Sequence, residues 1–188
     1  MDFKSTATAF LAVVMFSLPY AASAQAPSAE DRAGRLLSRL AEAEDDSAAR
    51  RLESQIMAEW SKSGSPAMDL LLKRGRDALD VDNIEGALEH FTALTDHAPG
   101  FAEGWHGLAL AFYQAEMFGP AMDALEHVLV LNPHHFAALK GVGAINEQVG
   151  RHALAYDAYQ RVLELRPHDE DTLNAMKRLE GEVMGVTL

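Results

Sequence analysis

Three prolines, Pro99, Pro133 and Pro167, stand 34 residues apart, and each closes a block in which the same kinds of residue return at the same offsets. Blocks counted from Met68, Ala102 and Phe136 hold Leu71, Trp105 and Leu139 at offset 4, and Gly75, Ala109 and Gly143 at offset 8. Alanine recurs at offset 20 as Ala87, Ala121 and Ala155; offset 24 is bulky (Phe91, Leu125, Tyr159) and offset 27 aliphatic (Leu94, Val128, Val162). A period of this length suits a helical hairpin, which cannot bury its apolar face alone and does so by stacking on its neighbours. Strand-like alternation over several residues occurs nowhere, so the fold class expected is all-α.

Small residues at offsets 8 and 20 let the two helices of a hairpin approach, and the large residues at 4, 24 and 27 fill the space around that contact. The proline ends the second helix, because it disfavours helical geometry in the residue before it and lacks an amide hydrogen. Two positions depart from the pattern: Arg74 stands where an aliphatic is usual and Asn146 where an aromatic is usual. Taken together, the offsets over residues 68–167 resemble the tetratricopeptide repeat, with its Trp, Leu, Gly, Tyr, Ala, Phe, Ala, Pro pattern. That resemblance implies a right-handed α-solenoid of about four hairpins plus a C-terminal capping helix, serving as a non-catalytic binding module.

The ends of the chain set the remaining boundaries. Lys4, the apolar stretch Ala9 to Leu18, and Ala22-Ser23-Ala24 read as a signal peptide over residues 1–24, giving a mature start near Gln25 and a periplasmic or secreted protein. No membrane insertion is expected after cleavage. Residues 25–30 read as a flexible lead. Leu36, Leu37, Leu40 and Ala41, then Leu52, Ile56 and Trp60, make two apolar stripes, so 31–66 is read as a degenerate hairpin in nearly the same phase, closed by Pro66. Ile56, Trp60 and Ser63-Gly64-Ser65 also resemble the N-terminal part of a group of exported bacterial tetratricopeptide proteins. Repeats follow over 67–101, 102–135 and 136–169, and 170–188 is the capping helix and tail.

The formal charge of -12 argues against nucleic acid, whose binding needs Lys and Arg to neutralise phosphate. The absence of Cys removes disulfides, thiolate metal sites and a Cys nucleophile. His97, His134 and His168 sit at interhelical turns, and equivalent positions in adjacent repeats lie too far apart for ligands that stand about 2 Å from one ion. Neither a metal site nor a cofactor is therefore expected. Glu42, Glu44, Asp45 and Asp46 sit at a helix start, where the dipole favours negative charge. No phosphate-binding glycine loop, Gly-x-Ser-x-Gly or His-Glu-x-x-His occurs, and no catalytic residue is assigned.

In the fold that the resemblance implies, offsets 2, 5, 9, 12 and 13 of each first helix face a concave groove. These carry over to Asp69, Leu72, Arg76, Leu79 and Asp80; to Glu103, His106, Leu110, Tyr113 and Gln114; and to Ala137, Lys140, Ala144, Glu147 and Gln148. The mixture suits a protein or peptide partner, with Tyr113 as an anchor and Arg76 and Lys140 as ion-pair donors. The clamp that grips a chaperone C-terminal carboxylate is incomplete, since Ala144 follows Lys140 and Leu110 follows His106 at the offset that needs a polar group. The alternatives are a self-associating scaffold, hence a homo-oligomer, or an accessory subunit of envelope assembly such as cytochrome c maturation.

Overall fold

The computed structural model describes residues 29–185; the expected signal peptide, its cleavage at Gln25 and the first residues of the lead lie outside them. Among the described residues the architecture is all-helical: α1 (Ala29–Ala41), α2 (Asp46–Trp60), α3 (Pro66–Asp80), α4 (Ile84–His97), α5 (Ala102–Gln114), α6 (Phe118–Leu131), α7 (Phe136–Gln148), α8 (His152–Leu165) and α9 (Glu170–Met184). Helices α3 to α8 form three consecutive hairpins, each packed on the next, and α9 packs on α8.

Turn chemistry sets these boundaries. Asp45, Asn83 and Asp169 accept hydrogen bonds from the backbone N–H groups of Ala48, Gly86 and Thr172, so each satisfies an orphan donor at a helix start. The turn inside each of the three hairpins carries a left-handed residue at the same offset: Asp82, Glu116 and Gly150. Only the third supplies the glycine that this conformation favours. Helix α1 starts at Ala29, two residues earlier than the expected hairpin boundary. Pro66 differs too. It does not close α2 but opens α3 at its first turn, where a missing N–H leaves nothing unsatisfied.

The interior of the hairpins interlocks large side chains with missing ones. A Cβ at Gly75 would stand 2.5 Å from the Phe91 ring, and one at Gly107 would overlap the same ring, so Phe91 fills the space left by two glycines from successive hairpins. Gly143 is opposed by Tyr159 in the same way, and Gly141 by Leu125. Phe91, Ala87, Ala121, Val128, Ala155 and Val162 are wholly buried. The two departures from the repeat are accommodated separately: Arg74 is exposed, and buried Asn146 donates back to the Val142 carbonyl.

The first hairpin packs differently from the stacked repeat that its phase suggests. Helix α2 makes no stack on α3 like those that join the later hairpins; α1 instead approaches α8. Leu40, Ala49, Leu52 and Ile56 cluster with Phe136, and Trp60 and Leu165 pack at the margin. The hairpin therefore lies across the turns that enter α5, α7 and α9. At the other end, Ala175 and Leu179 of α9 cover Ala155 and Tyr159, while Leu173 is 45% exposed.

Candidate functional site

Arg76, Leu79, His106 and Leu110, four of the residues expected to line the groove, come together in one cleft of about 400 Å³. The wholly buried Phe91 ring lies beneath them, where Gly107 presents no side chain, and Met57 and Ala58 of α2, with its C-cap Ser61, close the opposite side. Beyond it Leu110 is 42% and Tyr113 37% exposed, with the Tyr113 ring tilted against Phe118 at 5.6 Å. Gln114, Asp80 and Gln148 are exposed.

The other expected groove residues are placed otherwise. Leu72 is 3% exposed and belongs to the core with Phe91 and Leu94, so it does not face the groove. Asp69 holds the α2–α3 connection by accepting from the Ser63 N–H and hydroxyl. Ala137 packs against the first hairpin, and Ala144 is half-buried. Lys140 is engaged by Asp169 at 3.2 Å and Asp171 at 3.0 Å, and Glu147 accepts from Tyr159 and Arg178. The last helix thus covers the C-terminal end of the groove with polar contacts.

Below the cleft lies a buried polar cluster. Glu103, at 1% exposure, pairs with Arg76 through one carboxylate oxygen and with His135 Nε2 at 3.0 Å through the other. Arg76 also donates to Ser61 Oγ, which ties the cluster to the end of α2. His135 is the N-cap of α7: its Nδ1 accepts from the Ala138 N–H, which places the ring proton on Nε2 and makes Nε2 the donor to Glu103. Its ring stacks on Trp60 at 4.6 Å and meets His106 at the same distance.

Electrostatics follow from this arrangement. Burial acts to raise the Glu103 pKa, but the His135 hydrogen bond, the two histidine rings beside it and the Arg76 guanidinium hold it below the ordinary carboxylate value. Burial pushes His106 down to about 4, aided by its His135 neighbour, so the ring is neutral at physiological pH. The ligand atoms of Glu103, His106 and His135 lie within 4.8 Å of one another, a donor set that a metal ion could in principle use. Here Glu103 and His135 are engaged in hydrogen bonds. An ion would have to displace Arg76 from Glu103 and break the His135 cap.

Equivalent repeat offsets do not reveal this cluster, because Glu103 and His106 open α5 while His135 precedes α7. The signal legible in the sequence is an acid and a histidine three apart on one helix face, with a further histidine just before the first helix of the next hairpin.

The backbone path is shared with solved structures. The first TPR domain of Spaghetti (RPAP3), bound to the HSP90 peptide SRMEEVD, matches at a TM-score of 0.60 and 20% identity, over 62% of this chain and 93% of that one. The molecule has the fold of a tetratricopeptide repeat solenoid. MamA matches this tetratricopeptide array at a TM-score of 0.60 and 20% identity, over 76% of this chain and 86% of that one. In sequence, a TPR repeat-containing protein of Rhizobium etli is 28% identical over 158 residues, which is 84% of this chain and 78% of the relative. No family model matches the chain.

Proposed function

We propose that this tetratricopeptide array is a non-catalytic adaptor that holds a peptide or protein partner in the open part of its concave face. The observation that carries the reading is the cleft of about 400 Å³ among Arg76, Leu79, His106 and Leu110, continued by exposed Leu110 and Tyr113. An apolar hollow beside a guanidinium suits one large apolar side chain of an extended segment, with a polar group at the rim. The peptide-bound state of the Spaghetti domain supports the same use of the fold. Lys140 is already committed to Asp169 and Asp171, which disfavours carboxylate clamping at that position.

The adaptor works in the cell envelope, on the strength of the signal-like segment before Gln25. Sequencing the N-terminus of protein recovered from cells tests this; an intact Met1 chain in the soluble cytoplasm would defeat it. Among the described residues, no helix is long and apolar enough to cross a membrane.

The groove reading is tested by photo-crosslinking in the native envelope. Truncating an aromatic anchor in a packed site typically removes about 2 kcal/mol or more of binding. Tyr113→Ala should therefore weaken capture of the partner at least tenfold with an unchanged melting temperature, and Glu126→Ala on α6 should not. The reverse result would move the partner to the convex surface.

A further inference from the structure

Three clefts lie between the first hairpin and the array, of about 400, 330 and 310 Å³. The first lies beneath Met57 and Ser61, the second between Leu37 or Trp60 and the turns at Phe101 and Pro133, and the third between Glu53 and Asp169. The array's own interior has glycine-to-ring contacts too tight to admit a methyl group. A seam with such gaps lacks the dense contact that resists separation.

The seam is held at discrete points: Trp60 stacked on His135, Glu53 paired with Arg166 at 2.6 Å, His168 donating to the Ala43 carbonyl at 2.8 Å, Arg76 donating to Ser61 Oγ at 3.0 Å, and the apolar stripe seated on Phe136. Arg166 in turn lies over the Phe136 ring at 5.0 Å. This surface of α7 and the α8–α9 turn thus reads features of an amphipathic helix: an apolar row at spacing of four, an aromatic ring and an acid. Ser63 stays tied to Asp69, so a swing of the hairpin pivots at Ser61 and Lys62.

We propose that the surface formed by His135, Phe136, Leu165 and Arg166 is a binding site for an amphipathic helix, which the chain keeps filled with its own first hairpin. A partner helix carrying an aromatic residue and an acid at the Trp60 and Glu53 positions enters by displacing that hairpin. The tethered hairpin competes at an effective concentration of roughly millimolar, so a partner in solution binds weakly until the hairpin's own hold is reduced. The proposal rests on the reading of the array as a partner-binding module, but it uses a different surface from Tyr113.

The test uses a fluorescent synthetic peptide of residues 29–62 and the full chain. Trp60→Ala in the chain loosens the tethered hairpin and leaves the receiving surface intact, so it should bind the peptide at least tenfold more tightly than the unaltered chain. Adding Arg166→Glu should weaken that binding at least fivefold, and a peptide with Glu53→Arg should recover it. Hydrogen exchange of the unaltered chain should show α1 and α2 opening together with less protection than α5 to α8. Equal protection, or no peptide binding by the Trp60→Ala chain, would overturn the proposal. Dimerisation of that chain without peptide would overturn it as well, by assigning the surface to a second copy. Peptide binding that persists alongside normal partner capture by Tyr113→Ala would preserve this site while removing the groove reading.

Discussion

The three stacked hairpins and the first hairpin are built from similar helices, yet they are held by different physics. Between α3 and α8, rings enter spaces that glycines leave vacant: Phe91 fills Gly75 and Gly107, and Tyr159 fills Gly143. Along the first hairpin the contact is an apolar stripe, a ring stack and three polar ties, with clefts between them. Interlocking of the first kind makes neighbouring hairpins mutually dependent. Attachment at points leaves a unit that opens separately, at lower free energy than the whole.

The largest expected effect breaks the interlocked region. Phe91 is wholly buried between two glycines, so Phe91→Ala empties a space that no neighbouring Cβ can occupy. Such truncations cost about 3 to 5 kcal/mol. Thermal unfolding should show α3 to α6 lost together at a clearly lower midpoint. A change confined to the first hairpin would mean that the two regions are not distinct.

Acid should act on the polar cluster beneath α2. His106 has its native pKa pushed to about 4, below the ordinary 6.5, so its contribution to stability is fully present above pH 6.5. It is lost as pH falls from 6.5 towards 4, because the unfolded chain takes a proton that the native site refuses. Glu103 acts in the same direction, but only as pH falls below the ordinary carboxylate range towards its lowered native pKa. At about 1.4 kcal/mol per pKa unit, His106 gives a loss of about 2 kcal/mol between pH 7 and pH 5. Denaturant midpoints at the two values measure it, and His106→Gln should flatten the difference.

How much of this was legible depends on whether a local rule determined it. Helices α3 to α8 follow from the 34-residue period, because offset determines which face packs. The placement of the first hairpin does not. Leu52, Ile56 and Trp60 specify a helix with an apolar stripe, but nothing local says that the stripe meets Phe136, more than 70 residues away, rather than α3. Leu72 shows the same limit on a smaller scale: a groove offset placed it at the surface, and the neighbouring Gly75 and Phe91 drew it into the core. Burial of Glu103 and His135 is not local either: Trp60 of α2 stacks on His135, and Arg76 and His135 engage Glu103 from α3 and the start of α7.

A subtler contrast lies inside the array. Ala121 is wholly buried between α5 and α6, whereas His134 is exposed in the turn before α7. Overpacking such a site typically costs about 1 to 3 kcal/mol, and exposed turn substitutions fall within about 0.5 kcal/mol. Ala121→Leu should lower the melting temperature clearly and His134→Ala should not. Equal midpoints would mean that the repeat phase does not govern packing.

The smallest effect probes the seam itself. Glu53 and Arg166 are both mostly buried, and the guanidinium also pairs with Asp169, so removing Glu53 does not leave a buried cation alone. That retained partner keeps the loss near the value of a partly exposed ion pair, about 1 kcal/mol, rather than the several that stranding a charge would bring. Glu53→Ala should therefore leave the array's unfolding midpoint unchanged and raise the exchange rate of α1 and α2 amides roughly fivefold, the kinetic equivalent of that free energy. If the midpoint falls with the protection, docking of the first hairpin is part of the cooperative core, and the distinction between interlocked and point-held regions does not hold.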